Sequence, residues 1–348
     1  MSPAARSGKK KRRKWLLPIL AILIAGGLFL AFKVFGPNTG NFTDGEYLYV
    51  RTGSSFDNVV NAMETGGFVR DVKTFRLLAD EADYSHHIHP GKYHIRHGMS
   101  NYNMVRMLRS GRQEPVKLVV NKLRTKQDFI NIVCKNLEAD SAVLKQMLQD
   151  TTYLAQFGLD TNTAMCAVMP DTYEFFWNTT ADKAFRKIEK NFAHFWTDDR
   201  KAKAAAKTIT PVQAIIVASI VDEESNKNDE KPNIASVYLN RLHKGIKLQA
   251  DPTVKFAIGD FTIRRITGVH LAFQSPYNTY QNTGLPPGPI CTPSPQSIDA
   301  VLNAPATDYI YFCAKEDFSG YHRFAATEAE QAKNAKLYHE ALDARNIH

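Results

Sequence analysis

What the 348-residue chain lacks narrows its chemistry before anything it contains. It has four cysteines, Cys134, Cys166, Cys291 and Cys313, none in a C-x-x-C pair or at zinc-like spacing. No zinc ribbon and no thioredoxin-type redox pair is therefore encoded. In an exported domain the four could pair, and spacing does not choose the partners; buried free thiols are the other reading. There is no G-x-S-x-G elbow, P-loop or Rossmann glycine pattern, which removes the usual serine-nucleophile and nucleotide-binding classes. No internal repeat of fixed period occurs, and no low-complexity segment beyond the first residues.

Acidic residues are missing from residues 1–14, which hold Arg6, Lys9, Lys10, Lys11, Arg12, Arg13 and Lys14. The formal net charge of +9 is concentrated there, since these seven leave only +2 for the rest. A basic nucleic-acid footprint on the folded part is excluded, and nucleic acid is not an expected partner. Residues 15–32 carry no charge at all. At 1.5 Å per residue they span roughly 27 Å, close to a hydrocarbon core. A cleaved signal peptide has a shorter apolar core followed by a small-x-small site. The run is read as an uncleaved anchor over 15–35, with a cytoplasmic basic tail at 1–14 by the positive-inside rule.

With 44% hydrophobic and 23% charged residues, the remainder is globular. Residues 36–45 read as a Gly/Asn/Thr/Pro linker. Residues 46–112 read as strand, two helices and strand, followed by a Ser-capped helix closed by Gly111. That unit is too small to be the whole protein. Residues 113–348 form a larger mixed region. It begins with the strand "VKLVV" and a Thr-capped helix, and ends in a hairpin and a helix opened by the capping box "TEAE". The expected class is α+β.

The segment "ASIVDEES", residues 218–225, is the most informative stretch. Thr210 and Pro211 are a good helix start, and the helix that follows is apolar on every side, as buried helices are. It runs into Asp222, Glu223 and Glu224 at its C-terminal end, where the helix dipole disfavours negative charge and adjacent acids repel. At least one acid should then have a raised pKa, as a general acid at neutral pH requires. Ile216, Ile220 and Glu224 follow one i, i+4, i+8 row, which favours Glu224. A solvated helix end explains the same residues equally well.

The cluster "SHHIHPGKYHIRHG" with His86, His87, His89, His94 and His97 invites a metal reading. No H-E-x-x-H is present, and no acid or cysteine stands at ligand spacing within it. A polar turn is the favoured reading, with no metal and no cofactor expected. Residues 240–254 and 275–295 read as loops. The second presents Tyr277, Asn278, Tyr280 and Asn282 on Pro/Gly-stiffened backbone, which suits a groove for a polar, ring-containing polymer. Prolines alone would mean only a rigid loop.

Taken together, "ASIVDEES", "ASVYLNRL", "KLQADPTV", "SPYNTY", "TGLPPGPI", "PDTYEF" and "YIYF" resemble the YceG-like family in order and spacing over residues 115–345. The resemblance implies a single-pass anchor, a small LysM-like βααβ subdomain at 46–112 and a catalytic domain at 113–348. It implies a lytic transglycosylase that cuts peptidoglycan glycan strands between MurNAc and GlcNAc, leaving 1,6-anhydroMurNAc ends. The family's catalytic glutamate falls on Glu224. Asp222 stands where the family usually has Glu, and Glu223 where Lys is common; both are expected to tune the pKa of Glu224. Gln249, Asp251, Tyr277, Asn278, Thr279, Tyr280 and His322 are the expected substrate-binding residues, with residues 284–290 shaping the groove. The implied location is the bacterial inner membrane with the catalytic domain in the periplasm, beside cell-wall synthases as partners. Two alternatives are a non-catalytic peptidoglycan-binding scaffold and a metal-dependent hydrolase using His86, His87 and His89.

Overall fold

A computed structural model describes residues 10–345; residues 1–9, the first part of the basic tail, lie outside the described residues. The class is α+β, with helices predominating and three two-stranded sheets. The chain divides into two units, one of residues up to 116 with 176–178, the other of 117–175 with those from 179 on.

The first unit opens with α1 (Lys10–Phe35), of which Leu16–Phe35 is long and apolar enough to cross a membrane, with a mean hydropathy of 2.3. This helix starts before residue 15, so Pro18 lies in its interior. There it withholds the N–H that would bond the carbonyl of residue 14. Strand β1 (Leu48–Val50), α2 (Phe56–Thr65), α3 (Val72–Glu81), β2 (Gly91–Tyr93) and α4 (Asn101–Arg109) follow. β1 and β2 pair antiparallel with Leu48 opposite Tyr93, enclosing Val59, Met63, Phe75, Met104 and Leu108. Ser55 and Asn58 form the capping box that starts α2. β2 has three residues because β1 offers it only three partners. The end of α1 is fastened to this unit by Lys33 on Asp71 at 2.7 Å and by Asn38 on Asn101 at 2.7 Å. His86 and His87 both pair with Asp83, and His97 pairs with Asp44.

The second unit contains β3 (Val116–Val120), α5 (Lys126–Asn136), α6 (Ser141–Met147), α7 (Thr151–Ala155), β4 (Asp171–Phe175), α8 (Ala181–Phe195) and α9 (Asp198–Ala206). They are followed by α10 (Pro211–Glu224), α11 (Lys231–His243), α12 (Asp251–Ile258), α13 (Gly268–Leu271), α14 (Pro295–Leu302), β5 (Tyr311–Ala314), β6 (His322–Ala325) and α15 (Glu328–Ala344). β4 pairs with β3, and the β5–β6 hairpin sets Tyr311 opposite Ala325. Of the loop expected over residues 240–254, residues 240–243 end α11 and residues 251–254 open α12, because Asp251 and Pro252 occupy that helix's first turn.

α10 is the axis of this unit, packed by α9, α11, α12 and α14. Its start is fixed by a Thr210–Gln213 capping box with Pro211 in the first turn. Ile215, Ile216, Val217, Ile220 and Val221 are all buried. Each such side chain contributes about 1.5–3 kcal/mol on leaving water. Residues 286–292 are stitched onto it: Ser219 Oγ accepts from the Ile290 amide at 3.0 Å, and Thr292 exchanges hydrogen bonds with Leu123, each of 2.8 Å. Gly288 is required here, since a Cβ would collide with the Asn162 carbonyl. All four cysteines are free thiols, Cys166 and Cys291 buried.

Candidate active site

The helix end that closes α10 separates its three acids by direction, because residues two apart lie on different faces of a helix. Asp222 is 5% exposed and is held by Lys231 at 2.9 Å and Lys122 at 2.8 Å, with hydroxyl donors from Ser294 at 3.0 Å and from Ser297. Burial alone would raise its pKa; the hydrogen bonds from Lys122, Ser297 and Lys231 overcome that and hold it at about 2. Glu223 faces Arg124 at 2.9 Å and Lys122 at 3.2 Å. Both acids are thus spent on ion pairs.

Among the described residues Glu224 forms no ion pair. Its Oε1 accepts the Tyr238 hydroxyl at 2.5 Å, and burial pushes its pKa up to about 7. Tyr238 opposes that rise through its hydrogen bond, Asp251 adds to it by its charge, Lys255 opposes it, and Glu223 adds to it. Burial is the dominant cause, so like-charge repulsion within the acid block is secondary. The next residue, Ser225, is extended and ends the helix, and its Oγ donates to buried Glu230 at 3.0 Å. Glu230 also accepts from the His322 amide at 2.7 Å and faces His322 Nδ1 at 2.8 Å. That pair latches the β5–β6 hairpin to the loop behind Glu224.

Glu224 lies on a cavity of about 360 Å³ whose wall includes Tyr238, Arg241, Leu248, Gln249, Asp251, Tyr280, Tyr311, Phe312 and Gln331. Of the sequence-predicted binding residues, Gln249, Asp251 and Tyr280 are therefore brought together with Glu224. Tyr280 donates to Asp251 at 2.6 Å, and Gln249 accepts from Arg241 through Oε1. Gln249 has a left-handed backbone, φ +52°, uncommon for a side-chain-bearing residue and costing about 1 kcal/mol or more.

The other predicted residues are placed elsewhere. Asn278 is buried and its amide donates to the Leu271 and Phe273 carbonyls, closing its own loop. Thr279 is buried and its Oγ1 accepts from the Ala250 amide at 3.0 Å, which fixes the Gln249–Asp251 turn from behind. Tyr277 packs against Phe256 with the rings tilted at 47° and lines a second cavity with Pro289. His322 stands behind Phe312, edge to face at 5.1 Å. No residue from 284 to 290 lines the Glu224 cavity among the described residues; that turn braces α10 instead.

Sequence reasoning singled out neither Tyr238 nor Arg241, although both stand in the quoted segment "ASVYLNRL". Their one signal is a tyrosine and an arginine inside a helix buried on most sides, where a phenol and a guanidinium must find partners. Tyr311, Phe312 and Gln331 gave no signal, because they reach the cavity only through the hairpin and α15.

Fold and site together define an α+β protein that presents a carboxylate of near-neutral acidity in a polar, aromatic cleft and whose chain includes an N-terminal apolar helix. Within that class the chain belongs to the YceG-like family, which it matches over residues 48–337. It is 26% identical over 332 residues to the endolytic murein transglycosylase of Bacillus subtilis strain 168, covering 91% of each chain. The endolytic murein transglycosylase of Streptococcus pneumoniae serotype 2 strain D39 is 25% identical over 337 residues, 86% of this chain and 60% of that protein. The crystal structure of a YceG-like protein from Listeria monocytogenes superposes with a TM-score of 0.51 at 25% identity, covering 83% of this chain and 98% of that one.

Proposed function

We propose that the protein is a membrane-anchored lytic transglycosylase that cleaves the MurNAc–GlcNAc bond of peptidoglycan glycan strands. The observation that carries this reading is Glu224, a carboxylate with a pKa near 7 in a sugar-sized polar cleft. The family membership and the two relatives named endolytic murein transglycosylases support the substrate class.

In the proposed mechanism Tyr238 occupies Oε1, so Oε2 carries the proton. Glu224 gives that proton to the glycosidic oxygen as its bond to C1 of MurNAc breaks. The C6 hydroxyl of the same MurNAc attacks C1 and returns its proton to Glu224, leaving a 1,6-anhydro ring and a free GlcNAc hydroxyl. No water is consumed. A hydrolase needs a second carboxyl group to activate water or to attack. Here an intramolecular hydroxyl at high effective molarity takes that place, and one carboxylate serves as acid and then base. Asp251, bonded to Tyr280, adds by its charge to the raised pKa of Glu224 and offers an acceptor to sugar hydroxyls. Asn278 and Thr279 position this wall, and Tyr277 and His322 support its flanks. Asp222 and Glu223 anchor the helix end, Glu223 also adding to the rise at Glu224.

The seven basic residues before the span put the N-terminus in the cytoplasm and the catalytic unit in the periplasm. The antiparallel β1–β2 pair with two helices between them supports a LysM-like, glycan-gripping role for the first unit. An enzyme so tethered meets strands as they emerge, beside the cell-wall synthases.

The test incubates wild type and Glu224→Gln with purified peptidoglycan and analyses the products by mass spectrometry. Anhydro ends from the wild type and none from the variant are expected. Reducing ends would make the protein a hydrolase. Binding without products from either would favour a scaffold, and activity abolished by strong chelator would favour the histidine-metal reading.

A further inference from the structure

We infer that Arg241 orients the Gln249 side-chain amide so that its NH2 group faces the substrate and reads the acetamido carbonyl of an N-acetylated sugar. This rests on the glycan-cleaving reading and adds a recognition element to it.

A guanidinium has donors only. Arg241 Nη2 therefore holds the Gln249 side chain by its oxygen; a flipped amide would set two donors against each other. Arg241 has no freedom to swing away. Its Nε donates to the Lys247 carbonyl at 2.8 Å, its Nη1 to the Ile310 carbonyl at 2.8 Å, and it is 6% exposed. The Gln249 backbone is pinned as well, its N–H on the Thr279 carbonyl at 3.2 Å in the left-handed region. A side chain held at its oxygen, on an exposed residue that lines the cavity, presents its NH2 as a fixed donor. Among the described residues nothing accepts from Gln249 Nε2.

The other groups on the cavity explain what that donor is for. Glu224 and Asp251 are carboxyl groups suited to sugar hydroxyls, and the Tyr238 and Tyr280 hydroxyls are already committed to them. A carbonyl oxygen can only accept, so an acetamido group needs a donor that is not spent. Tyr311, also uncommitted, can accept as readily as donate, whereas the Gln249 NH2 can only donate. Leu248 and Phe312 on the same wall supply apolar surface for the acetamido methyl. Arg241 is thus a positioning residue and Gln249 a specificity-determining one.

The test is a substrate–enzyme cycle with the full-length chain in detergent. Wild type and Gln249→Met are compared on N-acetylated glycan strands and on the same strands chemically de-N-acetylated, by kcat/KM for anhydro-end formation. Removing either the amide or the acetyl group is expected to cost about tenfold, the size of one directed hydrogen bond, and removing both no more than one. Arg241→Met should raise KM on acetylated strands and lose the acetyl discrimination, while the alkaline limb of its pH profile stays where wild type has it. Circular dichroism checks folding. Should Gln249→Met fail to fold, Gln249→Glu keeps the Arg241 contact without the donor and is expected to show the same lost discrimination. Additive losses in the cycle, or a Gln249 variant as active as wild type, would overturn the inference and leave the glycan reading standing. No anhydro ends from wild type on either substrate would sink that reading instead.

Discussion

Asp222 and Glu224 stand two residues apart on one helix end, and their surroundings drive them in opposite directions. Asp222 faces two lysines and two serines and is held at about 2. Glu224 accepts from one phenol, has no ion-pair partner among the described residues, and is raised by burial to about 7. Both sites disfavour a bare charge, and what differs is whether cations and donors outweigh that cost. The comparison assigns roles: the compensated carboxylate holds the helix end, and the uncompensated one can move a proton at neutral pH.

The largest effect should come from replacing the uncompensated acid. Glu224→Gln is expected to lower kcat for anhydro-end formation by about 10⁴-fold, the upper range for acid–base catalysis. Its unfolding midpoint should not fall, since an amide fills the same space without a charge to bury. A large loss of stability would break the comparison by making Glu224 structural.

The compensated acid should behave in the opposite manner. Lys231→Met leaves Asp222 buried with a partner missing and is expected to destabilise the fold by about 3 kcal/mol, read by urea unfolding. The midpoint of the alkaline activity limb should stay with Glu224 in that variant. A moved midpoint would show that the two environments are coupled.

Stability against pH sharpens the contrast. The folded pKa of Glu224 lies above its ordinary value of 4.5, so the folded state binds more protons between 4.5 and about 7. Its contribution is fully present below 4.5 and is lost as pH rises towards 7. Asp222 lies below its ordinary 3.8, so its contribution is present above 3.8 and is lost as pH falls towards 2. Urea midpoints measured across pH should show both slopes, and Glu224→Gln should remove only the first. In wild type, kcat/KM should fall as pH rises through about 7, where Glu224 loses its proton.

The smallest effect concerns Tyr238. Its hydrogen bond favours the charged form of Glu224, so Tyr238→Phe should move the alkaline limb of kcat/KM upward. Turnover should fall about tenfold through the loss of one charge-assisted hydrogen bond. A limb that moves down would mean that the phenol supports the protonated form.

Legibility was uneven for physical reasons. The apolar N-terminal helix, the capped helices α2, α4, α5, α10 and α15 and the terminal hairpin were readable, because apolar length, caps and alternation are local. The pairing of β3 with β4 was not, since it joins residues about fifty apart with no turn to announce it. At the site, the periodicity of Ile216, Ile220 and Glu224 pointed to the acid that lines the cavity, while leaving a solvated helix end equally open. For the loop from 275 to 282, polarity suggested contact with ligand, yet Asn278 and Thr279 turned inward to satisfy buried backbone. Tyr280 alone of that group lines the Glu224 cavity.

By itself the sequence determined that an apolar span precedes the folded body, that α10 is buried on all sides, and that it ends in three acids. Each follows from neighbours along the chain. Only the tertiary structure decided which acid is which. Lys122, Lys231 and the Ser294–Ser297 turn reach Asp222 from three separate segments, while Tyr238, farther along the helix that carries Lys231, reaches Glu224. A carboxyl group's affinity for its proton depends on what surrounds it in space, and that surrounding exists only once those segments are folded together.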